Sequence, residues 1–144
     1  MAYPEYFIAP MRQELTQHGV VEAREAADVD RILSEQSGTV MFVVNSVCGC
    51  AAGKARPGIV NSLSNAVKPD TVATVFAGGD LEATARLREI LSNYPPSSPS
   101  VAIFQGGKPV YYMPRFEIEG SDALTISQKL KSAYEQHCAP TAAQ

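Results

Sequence analysis

The sequence has no surplus of basic residues, no long apolar run and few cysteines. Its 144 residues carry 12 Lys and Arg against 15 Asp and Glu, a net charge of −3. Nucleic-acid binding normally leaves an excess of bases, so no nucleic-acid partner is expected. No stretch approaches the roughly 18 apolar residues of a membrane span, and no membrane partner is expected either. Residues Met1–Phe7 show neither a basic start nor an apolar core, so no secretory signal is expected there. Neither an internal repeat nor a linker long enough to divide the chain is present. With 45% hydrophobic and 19% charged residues, the composition is that of an ordinary globular chain. These features predict a cytoplasmic protein with one domain over residues 1–138 and a flexible tail over 139–144.

Cys48, Cys50 and Cys138 are the three cysteines. An odd number in so long a chain does not make a disulfide framework. A lone cysteine more often fills core space as a small hydrophobe. Cys48-Gly49-Cys50 is different, because Gly weakens packing and frees the backbone between two thiols. A close pair of this kind in a reducing compartment points to redox or metal chemistry.

The apolar pattern predicts a short helix over residues 9–19, with Pro10 in its first turn and Gly19 at its end. A second helix follows, capped by Asp28 and running through Gln36. Thr39–Val44 is a continuous apolar, β-branched run, expected as a strand buried on both faces. Residues 51–66 favour a helix that Pro57 kinks or restarts. Thr71–Ala77 reads as a strand, and Asp80 as the cap of a helix carrying Leu81, Thr84, Leu87, Ile90 and Leu91. Val101–Phe104 is a third strand. Gly106-Gly107 turns it into a fourth, Lys108–Met113, which Pro109 places at a sheet edge. Ser121 is the expected cap of the last helix. Alternating strands and helices followed by a hairpin imply a mixed sheet. This order (β-α-β-α-β-β-α) matches an α/β, thioredoxin-like fold with a four-stranded sheet and an N-terminal helical extension.

On this fold Cys48 follows a buried strand and opens a helix. Unpaired N–H groups and the helix dipole there stabilise a thiolate and lower its pKa from about 8.5. The stretch from Gln36 to Pro69 holds no acid, and its charges are Lys54, Arg56 and Lys68. None of the three is assigned a catalytic role. A disulfide between residues one apart needs a bent backbone, which Gly49 makes cheap. The strain that remains predicts a pair suited to exchange or isomerisation rather than strong reduction. Pro99 stands just before the third strand, where a thioredoxin-like fold carries a cis proline. There the Ser98 backbone would pair with a substrate chain, so Ser98 and Pro99 are the expected substrate-binding residues.

The run Val44-Asn45-Ser46-Val47-Cys48-Gly49-Cys50-Ala51-Ala52-Gly53-Lys54-Ala55-Arg56-Pro57 resembles the signature of the bacilliredoxins, the YphP/YqiW family. Val75–Gly78, Pro96–Ser100, Arg115–Gly120 and His137-Cys138 resemble the family as well, so the likeness covers nearly the whole chain. Phe116 departs from it, standing where the family carries His, and no pH-sensitive role is expected at that position. The resemblance implies a thiol–disulfide oxidoreductase that removes a low-molecular-weight thiol from mixed disulfides on oxidised proteins. It implies no bound cofactor, a small thiol such as bacillithiol as co-substrate, and S-thiolated client proteins as partners. Carried over by position, Cys48 attacks the mixed disulfide, and Cys50 or a second small thiol resolves the adduct.

Other readings remain open. General protein disulfide isomerisation fits the same cysteine pair. Cys50 and Arg56 also form a Cys-x5-Arg pattern, as in tyrosine phosphatases and related arsenate reductases, where loop N–H groups and the Arg hold an oxyanion. A non-enzymatic reading joins Cys48 and Cys50 with His137 and Cys138 as four metal or iron–sulfur ligands. Away from that set Cys138 reads as a spare thiol, and His18 and His137 complement helix ends.

Overall fold

The computed structural model describes residues 2–35 and 38–139. Gln36, the expected end of the second helix, and the tail beyond Ala139 lie outside the described residues. The elements run α1 Glu5–Thr16, β1 Val21–Glu22, α2 Ala26–Glu35, β2 Thr39–Asn45, a π-helical turn Ala51–Ala55, α3 Arg56–Ser62, β3 Thr71–Phe76, α4 Leu81–Ile90, β4 Ser100–Gln105, β5 Lys108–Met113, α5 Arg115–Glu119 and α6 Ala123–His137. The sheet has five strands in the order β1-β3-β2-β4-β5. β2 lies parallel to β3 and antiparallel to β4, so the central strand belongs to both halves of the mixed sheet.

All seven residues of β2 are buried, as their apolar run predicts. Met41 and Val43 face Ile59 of α3 and Ile126, Leu130 and Tyr134 of α6. Val40, Phe42 and Val44 face the other layer, with Val29 and Ile32 of α2 and Leu87 of α4. Helices therefore cover both sides of the sheet. Gly58 sets the approach of α3 to α6: a Cβ there would lie 2.8 Å from Ile126 Cγ2 and 2.9 Å from the Ala123 carbonyl oxygen.

The structure corrects the sequence reading at several points. The sheet has a fifth strand, β1, whose two residues pair with Ala73 and Thr74 at one edge. Two residues carry no periodicity. α1 starts at Glu5 behind Pro4, which places Pro10 inside the helix. Pro10 and Tyr6 both lie on the exposed side, and Pro10 has no N–H to give the Tyr6 carbonyl. Asp28 is not the cap of α2 but lies inside it, and its carboxylate reaches back to the N–H groups of Arg24 and Glu25. Asp80 holds the cap position of α4 without capping it. Its carboxylate instead accepts from the Phe76 N–H and from buried Arg12, at 2.9 and 2.8 Å. The cap of α6 is Asp122, which accepts from the Thr125 N–H, while Ser121 donates to the Glu117 carbonyl. Pro57 restarts a helix, standing in the first turn of α3. Pro109 does lie on an edge strand, β5.

Candidate functional site

β2 ends at Asn45, and three residues later the chain reaches Cys48 at a helix start. The Cys48 carbonyl accepts from the Ala51 and Ala52 N–H groups at 3.1 and 3.2 Å, which makes Cys48 the residue that begins the helix. Its Sγ lies 2.7 Å from Cys50 Sγ and 3.3 Å from the Ser46 hydroxyl. Burial opposes ionisation of Cys48. Hydrogen bonds from Cys50, from Ser46 and from the Ala51 and Cys50 backbone outweigh it and hold the thiol below its ordinary value. Cys50 moves the other way. Burial, and then the neighbouring Cys48 sulfur, push its thiol up, against the opposing charge of Arg115. Both cysteines are half-buried free thiols. Of the two, Cys48 thus ionises the more readily: the side-chain hydrogen bonds from Cys50 and Ser46 lead, and the backbone N–H groups of the helix start add to them.

Gly49 takes no left-handed backbone conformation, and a Cβ there would meet nothing within 4 Å. In this dithiol arrangement the turn does not depend on the freedom of glycine.

The loop before Cys48 is braced from beneath by Arg56, which is 2% exposed. Its Nη1 donates to Asn45 Oδ1 at 2.9 Å and to the Ser46 carbonyl at 2.8 Å, and its Nε to Glu14 at 3.0 Å. Asn45 Oδ1 also accepts from the Ser46 N–H, and Asn45 Nδ2 donates to the Met11 carbonyl. This corrects the Cys-x5-Arg reading: the guanidinium that would hold an oxyanion is buried against the chain's own carbonyls and Glu14. Lys54 also turns to the protein and donates to the Glu119 carbonyl.

Ser98–Pro99 is a cis peptide bond, and Ser98 lines the cleft that holds Cys48. The structure thus brings Cys48, Cys50, Ser98 and Pro99 to one end of the sheet. The cleft encloses about 400 Å³ and is lined by Ser46, Cys48, Gly78, Arg88, Ser98 and Arg115, among others. Arg115 donates to the Ser98 carbonyl at 3.3 Å and pairs with Glu119 at 3.4 Å. Its guanidinium is stabilised chiefly by the charges of Cys50 and Cys48. Beside the cleft an apolar groove of about 520 Å³ runs past Tyr94, Tyr112, Pro114 and Phe116. Phe116 is 76% exposed.

Cys138 is not part of this site. Burial pushes its thiol up, and its neighbours are Thr39 and Asp70. Thr39 begins β2 and Asn45 ends it. At about 3.3 Å per residue, Cys138 is therefore about 20 Å from the cysteine pair. His137 packs near the Tyr111 ring instead. The four-ligand metal reading fails on this distance, and no group of three or more metal-ligating side chains occurs among the described residues.

The sequence assigns no role to Arg88 or Arg115, and to Arg56 only that of oxyanion holder in the Cys-x5-Arg reading. Arg115 lay in a motif quoted for the family likeness. Arg88 had no local signal, being one charge on an amphipathic helix.

A family profile described as disulphide isomerase matches residues 3–138. A bacilliredoxin of Halalkalibacterium halodurans is 46% identical over 141 residues, covering 96% of this chain and 98% of that protein. A bacilliredoxin of Koribacter versatilis is 49% identical over 140 residues, covering 97% of each. Among solved structures, the oxidised thioredoxin of Plasmodium falciparum matches with a TM-score of 0.57 at 16% identity, over 84% of this chain and all (100%) of the other. The thioredoxin of Fasciola hepatica matches with a TM-score of 0.55 at 17% identity, over 80% and 99%. At these identities the two structures establish the thioredoxin fold. Among the described residues no helix is long and apolar enough to cross a membrane.

Proposed function

The chain belongs to the disulphide isomerase family, to which bacilliredoxins are its similar relatives, and from that membership we propose that this thiol–disulfide oxidoreductase removes a low-molecular-weight thiol, such as bacillithiol, from S-thiolated client proteins in the cytoplasm. The observation that carries the proposal is the Cys48 thiol, held below its ordinary pKa at a helix start with the Cys50 thiol 2.7 Å away.

The Cys48 thiolate attacks the small thiol's sulfur in the mixed disulfide. A Cys48–S bond forms, the bond to the client sulfur breaks, and the client leaves as a thiolate that takes up a proton. The client is reduced and Cys48 is oxidised. Cys50 then loses its proton and attacks Cys48, forming the Cys48–Cys50 disulfide and releasing the small thiol. An external dithiol, which closes to its own disulfide, or two small thiols, which leave joined as a disulfide, return the pair to the reduced state. Without resolution by Cys50, a second small thiol attacks the adduct instead. Ser98 presents backbone to the client beside the cis Pro99, and the groove at Phe116 and Tyr112 covers apolar client side chains. The same groove, together with the description of the family, favours protein disulfide isomerisation as a second reading.

The test is intact mass with thiol alkylation, using an S-thiolated client and both wild type and Cys50→Ala. The expected result is an internal Cys48–Cys50 disulfide in wild type and a small-thiol adduct on Cys48 in the variant. Two alkylatable cysteines with the client still modified would refute it. Reactivation of scrambled protein without any small-thiol adduct would favour isomerisation.

A further inference from the structure

Six arginines are satisfied by carboxylates. Arg12 pairs with Asp80, Arg24 with Glu22, Arg31 with Asp28, Arg56 with Glu14, Arg86 with Asp30 and Arg115 with Glu119. Arg88, the seventh, is the exception. No carboxylate pairs with it among the described residues, and its Nε is buried without a hydrogen-bond partner. A buried guanidinium N–H without an acceptor costs about 1–3 kcal/mol, so such a group calls for a missing partner. Arg88 lines the Cys48 cleft, and the other charged residue lining it is Arg115. No acid lines that cleft among the described residues.

An anion that enters the cleft would supply that partner and meet both positive charges at once. Arginine suits a carboxylate, which can accept from two of its N–H groups at once. A cleft of about 400 Å³ holds a small molecule rather than a folded chain. We propose that Arg88 and Arg115 form a carboxylate-binding subsite for the low-molecular-weight thiol while its sulfur is bonded to Cys48. This rests on the exchange function proposed above and adds the residues that select the small thiol by its negative charge. Arg88 does not touch the reacting sulfurs and acts as a specificity residue. Arg115 also lies within the field of both thiols, so its removal changes Cys48 reactivity as well as binding.

The test uses Cys50→Ala protein, so that adducts stay on Cys48, and three symmetrical disulfides. These are the disulfides of mercaptosuccinate, 2-mercaptoethanol and cysteamine, with negative, neutral and positive charge. In each reaction the Cys48 thiolate attacks one sulfur, a Cys48–S bond forms, the probe's S–S bond breaks, and the other half leaves as a thiolate. Adduct formation is followed by intact mass. Each rate is divided by that of free 2-mercaptoethanol with the same disulfide, which removes intrinsic reactivity. The expected normalised preference for the mercaptosuccinate probe over the neutral one is about tenfold, the size of one charge-assisted hydrogen bond. It falls toward one in Arg88→Gln and is partly kept in Arg88→Lys. Arg86→Gln, which removes the same charge from the exposed side of the same helix, keeps it. Added salt lowers the preference in protein with Arg88 intact, a readout that needs no change at position 88.

A preference that survives Arg88→Gln, falls equally in Arg86→Gln or ignores salt overturns the subsite and leaves the exchange function standing. Failure of all three disulfides to modify Cys48 overturns the exchange function, and the subsite with it.

Discussion

The Arg56 guanidinium and the Ser46 carbonyl meet at 2.8 Å beneath the loop that carries Cys48. Arg56 stands at the start of α3, and Ser46 follows the end of β2, so this bond ties the helix after the cysteines to the strand before them. Replacing Arg56 by Met leaves the Ser46 carbonyl short of a donor and weakens the hold on Asn45. A loss of about 2–3 kcal/mol is expected, read as a lower urea midpoint. Arg56→Lys should not restore it, because one ammonium cannot span Asn45, Ser46 and Glu14 as the planar fork does. A midpoint unchanged in either variant would contradict the brace.

The pH dependence of thiol reactivity follows from the two cysteine shifts. Cys48 ionises below an ordinary thiol and Cys50 above it. Between the two values the pair holds one proton, and alkylation at limited reagent should map to Cys48. Ser46→Ala removes a hydrogen bond to the sulfur, so the alkylation midpoint of Cys48 should move to higher pH. The stability signs are opposite. Cys48 gives up its proton more readily folded than unfolded. Its contribution is present above the unfolded thiol value and is lost as pH falls through the folded one. Cys50 keeps its proton longer when folded. Its contribution is present below the unfolded value and is lost as pH rises through the folded one. Unfolding of the reduced protein across this pH range, compared with Cys48→Ala and Cys50→Ala, measures each sign.

Two glycines of the same region should respond differently to alanine. A Cβ at Gly58 would press on Ile126 and the Ala123 carbonyl. Gly58→Ala should therefore force α3 and α6 apart, at a cost of about 1–3 kcal/mol. A Cβ at Gly49 meets nothing. Gly49→Ala should leave the reduced protein unchanged or more stable by up to about 1 kcal/mol, since Ala favours the helix start. Chemical denaturation under reducing conditions checks both, and equal losses would contradict the close approach at Gly58.

Phe116 offers its ring to solvent at the edge of the apolar groove. Phe116→Ser should lower the rate toward S-thiolated proteins several-fold while leaving the rate toward small symmetrical disulfides unchanged. Comparing the two substrate classes checks this. An equal fall for both would place Phe116 in the chemistry rather than in client docking.

The legible parts of the sequence were those with a physical period or a local rule. β2 announced itself because seven consecutive buried residues need an unbroken apolar run. The cis Ser98–Pro99 bond and the helix start at Cys48 were read from their places relative to strands. β1 and α5 were missed because two and five residues are too few to show a period. Asp80 was misread for another reason. Its fit to a cap is local, but Arg12, 68 residues away in sequence, takes its carboxylate. Arg56 and Arg88 are the same case in reverse: each is an ordinary charge in sequence, and the burial of Arg56 beneath the cysteine loop and the place of Arg88 in the cleft decide their meaning.

β2 is hydrogen-bonded on both sides, to β3 and to β4, and packed on both faces. Its amides should exchange with solvent deuterium only when the whole molecule opens, whereas those of the two-residue β1 and the edge strand β5 should exchange through smaller openings. Cys48 is anchored three residues beyond the end of the slowest segment. A small thiol bonded to that sulfur is therefore held on the part of the protein that yields last, and the reacting atoms keep their places while the rim of the sheet breathes.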